Sequence, residues 1–305
     1  MTWNRETDMA HDFFRVGGFH NLKGTLDKQG RLTGLQDRTI VFTNKDNGRP
    51  VRGGGIRGGN IQAPEIPNVR METHQVPLTI PCGWWRAPTS CSVAWVFQSF
   101  IHEMAEAAER DHLEFLLEQF GQPRHLGKKT ARDFNTERAI NVTKHVAEKA
   151  NWGRKLKKGQ GQGLSFYNSH LGYFAEVAEV TVDSSNRVKV DRVVASCDVG
   201  MLLNKSGGEN QVEGSIVDAI STLAGQEITF EEGAVRESNF DDYPLLRMPS
   251  QPQIDIHWLT TDYAPTGLGE PAFPPAVAAV TNAIYNATGK RIHTMPISKE
   301  GFQIV

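Results

Sequence analysis

The chain has 305 residues, of which 39% are hydrophobic and 22% charged, with a formal net charge of -2. That composition suits a globular protein with a sizeable core, and its near-neutral balance gives no electrostatic reason to expect nucleic acid or an anionic membrane as partner. Three cysteines, Cys82, Cys91 and Cys197, form no C-x-x-C pair, so they spell out neither a metal-ligand set nor a disulfide framework.

The start of the chain, from Thr2 to Asp8, is polar and acidic where an export signal would be basic and then apolar, so no signal is expected there. No run of eighteen apolar residues predicts a transmembrane helix. Residues 19–26 and 31–42 read as two strands around the turn Asp27-Lys28-Gln29-Gly30. From 44 to 67 the chain is rich in glycine, asparagine, arginine and proline, with Gly53-Gly54-Gly55 and Gly58-Gly59 around Arg57. This reads as a surface loop rather than a phosphate cradle, because no G-K-[ST] follows and no strand-then-helix frame surrounds it.

Apolar residues at Val93, Val96, Phe97, Phe100, Ile101 and Met104 predict a helix over 92–110. Asp111 with Glu114 resembles a capping box for a short helix ending near Gly121. A helix over 136–152, stopped by Gly153, leads into the basic segment 154–161, read as a solvated connection and the boundary between two subdomains, 1–158 and 159–305. Strands follow at 163–167, 173–182 and 188–198, then a helix through Val212, Ile216, Ala219, Ile220 and Leu223. Short strands near 227–230 and 254–260 precede a last helix carrying Val277, Val280 and Ile284, with Gly289 as C-cap. Mixed blocks of strands and helices, rather than strict alternation, predict an α+β class.

Four places concentrate unusual chemistry. Trp84-Trp85-Arg86 reads as core aromatics beside an arginine paired with a carboxylate or serving a site. His170 lies in a polar bend between strands, where a hydrogen-bonding and a catalytic role are both open. Gln211, near a helix start, suits a cap or a ligand amide. Glu270 is framed by Gly267, Gly269, Pro271, Pro274 and Pro275, a backbone that holds a carboxylate at a chosen point. Its proximity to a helix start is the other explanation.

Together these residues resemble the molybdopterin-binding large subunit of the xanthine dehydrogenase superfamily, in the branch of the isoquinoline oxidoreductase beta subunit and related bacterial aldehyde dehydrogenases. The resemblance rests on Trp3-Asn4-Arg5-Glu6, Trp85-Arg86-Ala87-Pro88, the run from Gly172 to Val180, Asn210-Gln211-Val212-Glu213-Gly214, Tyr243-Pro244-Leu245-Leu246-Arg247 and the run from Gly267 to Pro275. It runs nearly end to end, and it implies the second half of the molybdopterin-binding domain of the molybdenum hydroxylases.

The resemblance implies that Glu270 acts as general base to a Mo–OH group while hydride passes to Mo=S, hydroxylating an aldehyde or N-heterocycle. It implies that Arg86, Gln211 and Gly269 serve the cofactor, and that the pterin dithiolene holds the metal, with no metal ligand in this chain. The cytosine dinucleotide form of the cofactor is one option. Two departures stand out: Asn204-Lys205, where relatives carry Asn-Pro, and the glycine-rich insertion around Gly53. Relatives also carry a long front portion with its own glycine-rich loop. Activity is therefore expected to require that portion and an iron–sulfur small subunit, with the isolated chain lacking cofactor. The alternative expectation is a catalytically silent assembly module that associates with itself.

Overall fold

The computed structural model describes residues 2–45, 47–51, 53–55, 58–128, 130 and 132–305. Arg57, at the centre of the glycine-rich insertion, lies outside these. A first helix, α1 (Arg5–His11), is capped by Asn4, whose side chain accepts from the Thr7 amide. Strands β1 (Phe19–Leu26) and β2 (Leu32–Asn44) form the expected hairpin, and β3 (Val69–Leu78) pairs parallel to β2. That third strand carries no alternation a sequence reading can use, because it is an edge strand with much of its surface in water.

Helices α2 (Ser90–Ala107), α3 (His112–Phe120) and α4 (Thr136–Lys149) follow, close to the predicted spans. Asp111 caps α3 by accepting from the Glu114 amide, and Gly121 ends it with a φ of 71°, which glycine adopts without strain. The main sheet comprises β4 (Gln160–Ser169), β5 (Gly172–Val182) and β6 (Arg187–Asp198), which run antiparallel in that order.

Helix α5 (Lys205–Gly225) comes next, and a small hairpin of β7 (Phe230–Glu231) and β8 (Ala234–Val235) follows it. Strand β9 (Gln253–Trp258) then pairs parallel with β6, helix α6 (Phe273–Thr288) follows, and β10 (Gln303–Ile304) joins the start of β6. The mixed sheets and segregated helices make this an α+β fold, as expected.

Both faces of the main sheet are covered, which is why β4 and β5 are buried along nearly their whole length. One face, with Phe174, Ala178 and Val193, packs on α5 and α6. The other, with Leu164, Phe166, Val177 and Val194, packs on α2, α3 and α4. Helix α6 sits unusually close to β4. A Cβ at Gly163 would stand 2.2 Å from the Ala279 carbonyl oxygen, and one at Gly161 equally close to that of Ala283. The contact is main chain on main chain, and only glycine permits it.

The glycine-rich insertion meets the surface-loop expectation at 47–50, which are exposed, and departs from it further on. Gly53 and Gly54 are buried, the Gly54 backbone abuts Gly17, and the Gly53 carbonyl accepts from Arg15 and from the Ser92 hydroxyl. Unsubstituted backbone on both sides lets the two segments meet. Among the described residues, no helix is long and apolar enough to cross a membrane.

Candidate functional site

Each of the four sequence candidates is delivered by a different element, and all four meet. The loop between β9 and α6 carries Gly267, Gly269 and Glu270, and main-chain bonds pin it from Thr266 N to Val199 O (3.0 Å) and from Gly267 N to His170 O (3.2 Å). The Glu270 carbonyl accepts from Phe273 N at the start of α6 and from Ser215 Oγ on α5. Its carboxylate turns away from the first turn of α6. Oε1 accepts from the Ala87 amide at 2.9 Å, and Oε2 lies 2.8 Å from His170 Nε2. A helix-end interaction therefore does not account for where this side chain points.

Ala87 reaches Glu270 through an unusual backbone. Its φ is +55°, and that of Thr89, just beyond Pro88, is +67°. Alanine in the left-handed region costs about 1 kcal/mol, and a residue before proline normally stays extended. Ala87 is fully buried, so the strained turn is held by packing while its N–H faces the carboxylate.

Arg86, its neighbour, donates from Nε to the Gly269 carbonyl at 2.6 Å and from Nη2 to the Gln211 carbonyl at 3.4 Å. Nη1 faces Asp218 at 3.6 Å. Asp218 is held above the usual carboxylate range by burial, partly offset by Arg86. Burial, and then the Asp218 and Glu237 carboxylates, push Tyr243 up to about 12. The expected carboxylate partner of Arg86 is thus Asp218, which no motif singles out. Trp84 departs from the core-aromatic expectation: it is largely exposed, whereas Trp85 packs against the core.

Gln211 sits in the second turn of α5, further in than a cap, since Asn204 caps that helix through the Gly207 amide. The Gln211 side chain is exposed, and its amide has no hydrogen-bond partner among the described residues. A Cβ at Gly269 would stand 3.0 Å from Gln211 Oε1, so glycine there keeps the amide clear. The site therefore joins a half-exposed carboxylate, an uncommitted amide and a guanidinium spent on holding backbone.

A separate cavity of about 530 Å³ lies along α4 beside the ends of β6 and β9. The bidentate pair of Arg138 with Asp198 fills part of its wall, sandwiched by Tyr173 and Tyr263. None of its lining side chains has a buried polar atom without a partner, and Glu270 is not among them. The four sequence candidates meet at the converging loops and not in this cavity. No group of three or more His, Cys, Asp or Glu suited to a metal ion occurs among the described residues.

Residues 96–252 match the family model described as a molybdopterin cofactor-binding domain. One of the subunits of nicotinate dehydrogenase from Pseudomonas putida is 29% identical over 77% of this chain and 20% of its own length. The beta subunit of isoquinoline 1-oxidoreductase from Brevundimonas diminuta is 25% identical over 97% of this chain and 38% of its own length. The crystal structure of quinoline 2-oxidoreductase from Pseudomonas putida 86 superimposes with a TM-score of 0.79 at 13% identity, covering 97% of this chain and 62% of that one. The chain thus spans well under half the length of these two sequence relatives.

Proposed function

The chain belongs to the molybdopterin cofactor-binding domain family, and from that premise we propose that it is the portion of a molybdenum hydroxylase large subunit that carries the general base. The enzyme would oxidise an aldehyde or an N-heterocycle. The observation that carries this reading is the convergence of Arg86, Gln211, Gly269 and Glu270 through bonds from Arg86 and Ala87 to residues 125 and 183 positions away.

The residues fit a pterin on two counts. The Gln211 amide offers donor and acceptor atoms that nothing in the fold consumes, and Gly269 leaves open the space that a side chain would fill. Gln211 and the backbone at Gly269 would hold the group, while Arg86 braces both by gripping their carbonyls. When bound, the cofactor supplies the sink for the electron pair removed from substrate.

The remaining tasks fall to the chain's own groups. The Ala87 amide fixes the plane of the Glu270 carboxylate at Oε1. Glu270, with 36% of its side chain exposed, takes up the proton at a carboxylate lone pair left open by that contact. The glycine loop, tied to Val199 and His170, keeps the carboxylate from drifting.

A further segment of the large subunit would complete the envelope, and an iron–sulfur subunit would carry the electrons onward. The segment 154–161 would mark the boundary between two subdomains. Co-expression with both partners, followed by mass spectrometry for molybdenum, tests the reading. About one metal per chain is expected, and a complex that forms without metal overturns it.

A further inference from the structure

We propose that His170 is a positioning residue for Glu270, an inference that rests on the reading of Glu270 as the base. The carboxylate has two oxygens and the fold assigns each a donor: Ala87 N at 2.9 Å from Oε1, and His170 Nε2 at 2.8 Å from Oε2. The other ring nitrogen, Nδ1, lies 2.8 Å from Ser169 Oγ, and Ser169 is buried. With the Ser169 hydroxyl donating to Nδ1, the ring proton sits on Nε2 and is donated to Glu270. A chain of contacts from Ser169 through His170 to Glu270, closed by Ala87, sets the plane and direction of the carboxylate.

The backbone supports the same conclusion. Ser169 pairs with Gly172 across β4 and β5, leaving His170 and Leu171 as a two-residue hairpin loop. Both have positive φ, +51° and +68°, as a type I′ turn requires. Such loops favour Asn-Gly, and a histidine followed by a leucine is a poor choice for the turn itself. Gly267 approaches so closely that a Cβ there would stand 3.0 Å from His170 Cβ, and its N–H holds the His170 carbonyl. The site therefore explains a residue that the turn does not.

Three variants and two readouts test this. The first readout needs no cofactor: nitrogen-15 NMR of the imidazoles in the full chain. It is expected to show the His170 Nε2–H tautomer, with a resonance that moves when Glu270→Gln is introduced. An unmoved resonance overturns the pairing. The second readout is kcat in the reconstituted complex.

His170→Asn suits the left-handed turn but is too short to reach Glu270, so Tm is expected to hold or rise while kcat falls by about 10²-fold. His170→Gln carries an amide N–H near the position of Nε2 and is expected to keep most of kcat. Wild-type kcat in His170→Asn, or an equal fall in both variants, overturns the positioning role. Full activity in Glu270→Gln overturns the base reading and this role with it, while the NMR pairing would persist as a structural fact.

Discussion

Arg86 Nε lies 2.6 Å from the Gly269 carbonyl oxygen, and the same guanidinium reaches the Gln211 carbonyl and Asp218. One side chain thus spans the loop that carries Glu270 and the helix that carries Gln211. Its planar fork is what allows three acceptors to be served at once.

Arg86→Met should therefore loosen both partners. The loss of charge-assisted bonds is expected to cost about 1–3 kcal/mol in chemical denaturation. Asp218, deprived of the group that offsets its burial, should move further above the usual carboxylate range. Arg86→Lys is expected to recover little, since an ammonium cannot reproduce the fork. Wild-type stability in both variants would remove the clamp.

Glu270→Gln keeps the shape and an acceptor for the Ala87 amide while removing the proposed base. In a reconstituted complex kcat is expected to fall by at least about 10²-fold, the lower range for a general base, with molybdenum content unchanged. Steady-state kinetics alongside metal analysis separates lost chemistry from lost cofactor.

Gly269→Ala places a methyl group against Gln211 Oε1, the end of a flexible side chain. The fold should accommodate it within about 0.5 kcal/mol. The displaced amide, however, should lower the metal recovered per chain. Thermal denaturation and metal analysis on the same preparation check the two halves.

Three buried groups set a stability optimum. His102 and His112 stack at 4.6 Å under α6, and burial lowers them to about 2 and about 3 from 6.5. They stay neutral in the fold, so below pH 6.5 the unfolded chain binds more protons and stability drops by about 1.4 kcal/mol per unit for each. Glu176, fully buried with neither oxygen hydrogen-bonded, is pushed well above 4.5 by burial. It keeps its proton in the fold, so from pH 4.5 upward, until the pH at which it ionises in the fold, it subtracts about 1.4 kcal/mol per unit as pH rises.

Two histidine protons outweigh one carboxyl proton between pH 4.5 and 6.5, and any decline above 6.5 is the carboxyl's, for as long as burial keeps it protonated. The contribution of these groups should therefore peak near pH 6.5. Glu176→Gln is expected to flatten the decline above that point, as measured by urea denaturation across pH. An unchanged alkaline limb would mean that Glu176 ionises freely in the fold.

Much of this fold is legible in the residue pattern, because α2, α3, α4 and α6 carry apolar residues at helical spacing and end on Gly121, Gly289 or a polar turn, although α6 is buried all round from Phe273 to Ile284. Helix α1 and strand β3 are not, the first being a single capped turn or two and the second an exposed edge. Within the site, Glu270 stands out through its glycines and prolines. Ala87 cannot, since it contributes a main-chain N–H from a conformation its position before Pro88 disfavours. Asp218 reads as one more polar residue on a helix, and its role depends on Arg86 arriving from 132 positions away. His170 offered a clue in hindsight: a two-residue loop without glycine or asparagine is a turn chosen for something other than turning.

Where α6 rests on Gly161 and Gly163, helix and sheet meet at main-chain contact distance, with no room for a Cβ on either glycine. At Gly163 the nearest atoms of α6 are all main chain, and at Gly161 the Ala287 methyl stands beside them. Drift among the surrounding valines and alanines can therefore change how firmly the helix is held without changing how high it rides. Glu270, three residues before α6 begins, inherits a height above the sheet that is fixed by covalent dimensions rather than by the fit of the core.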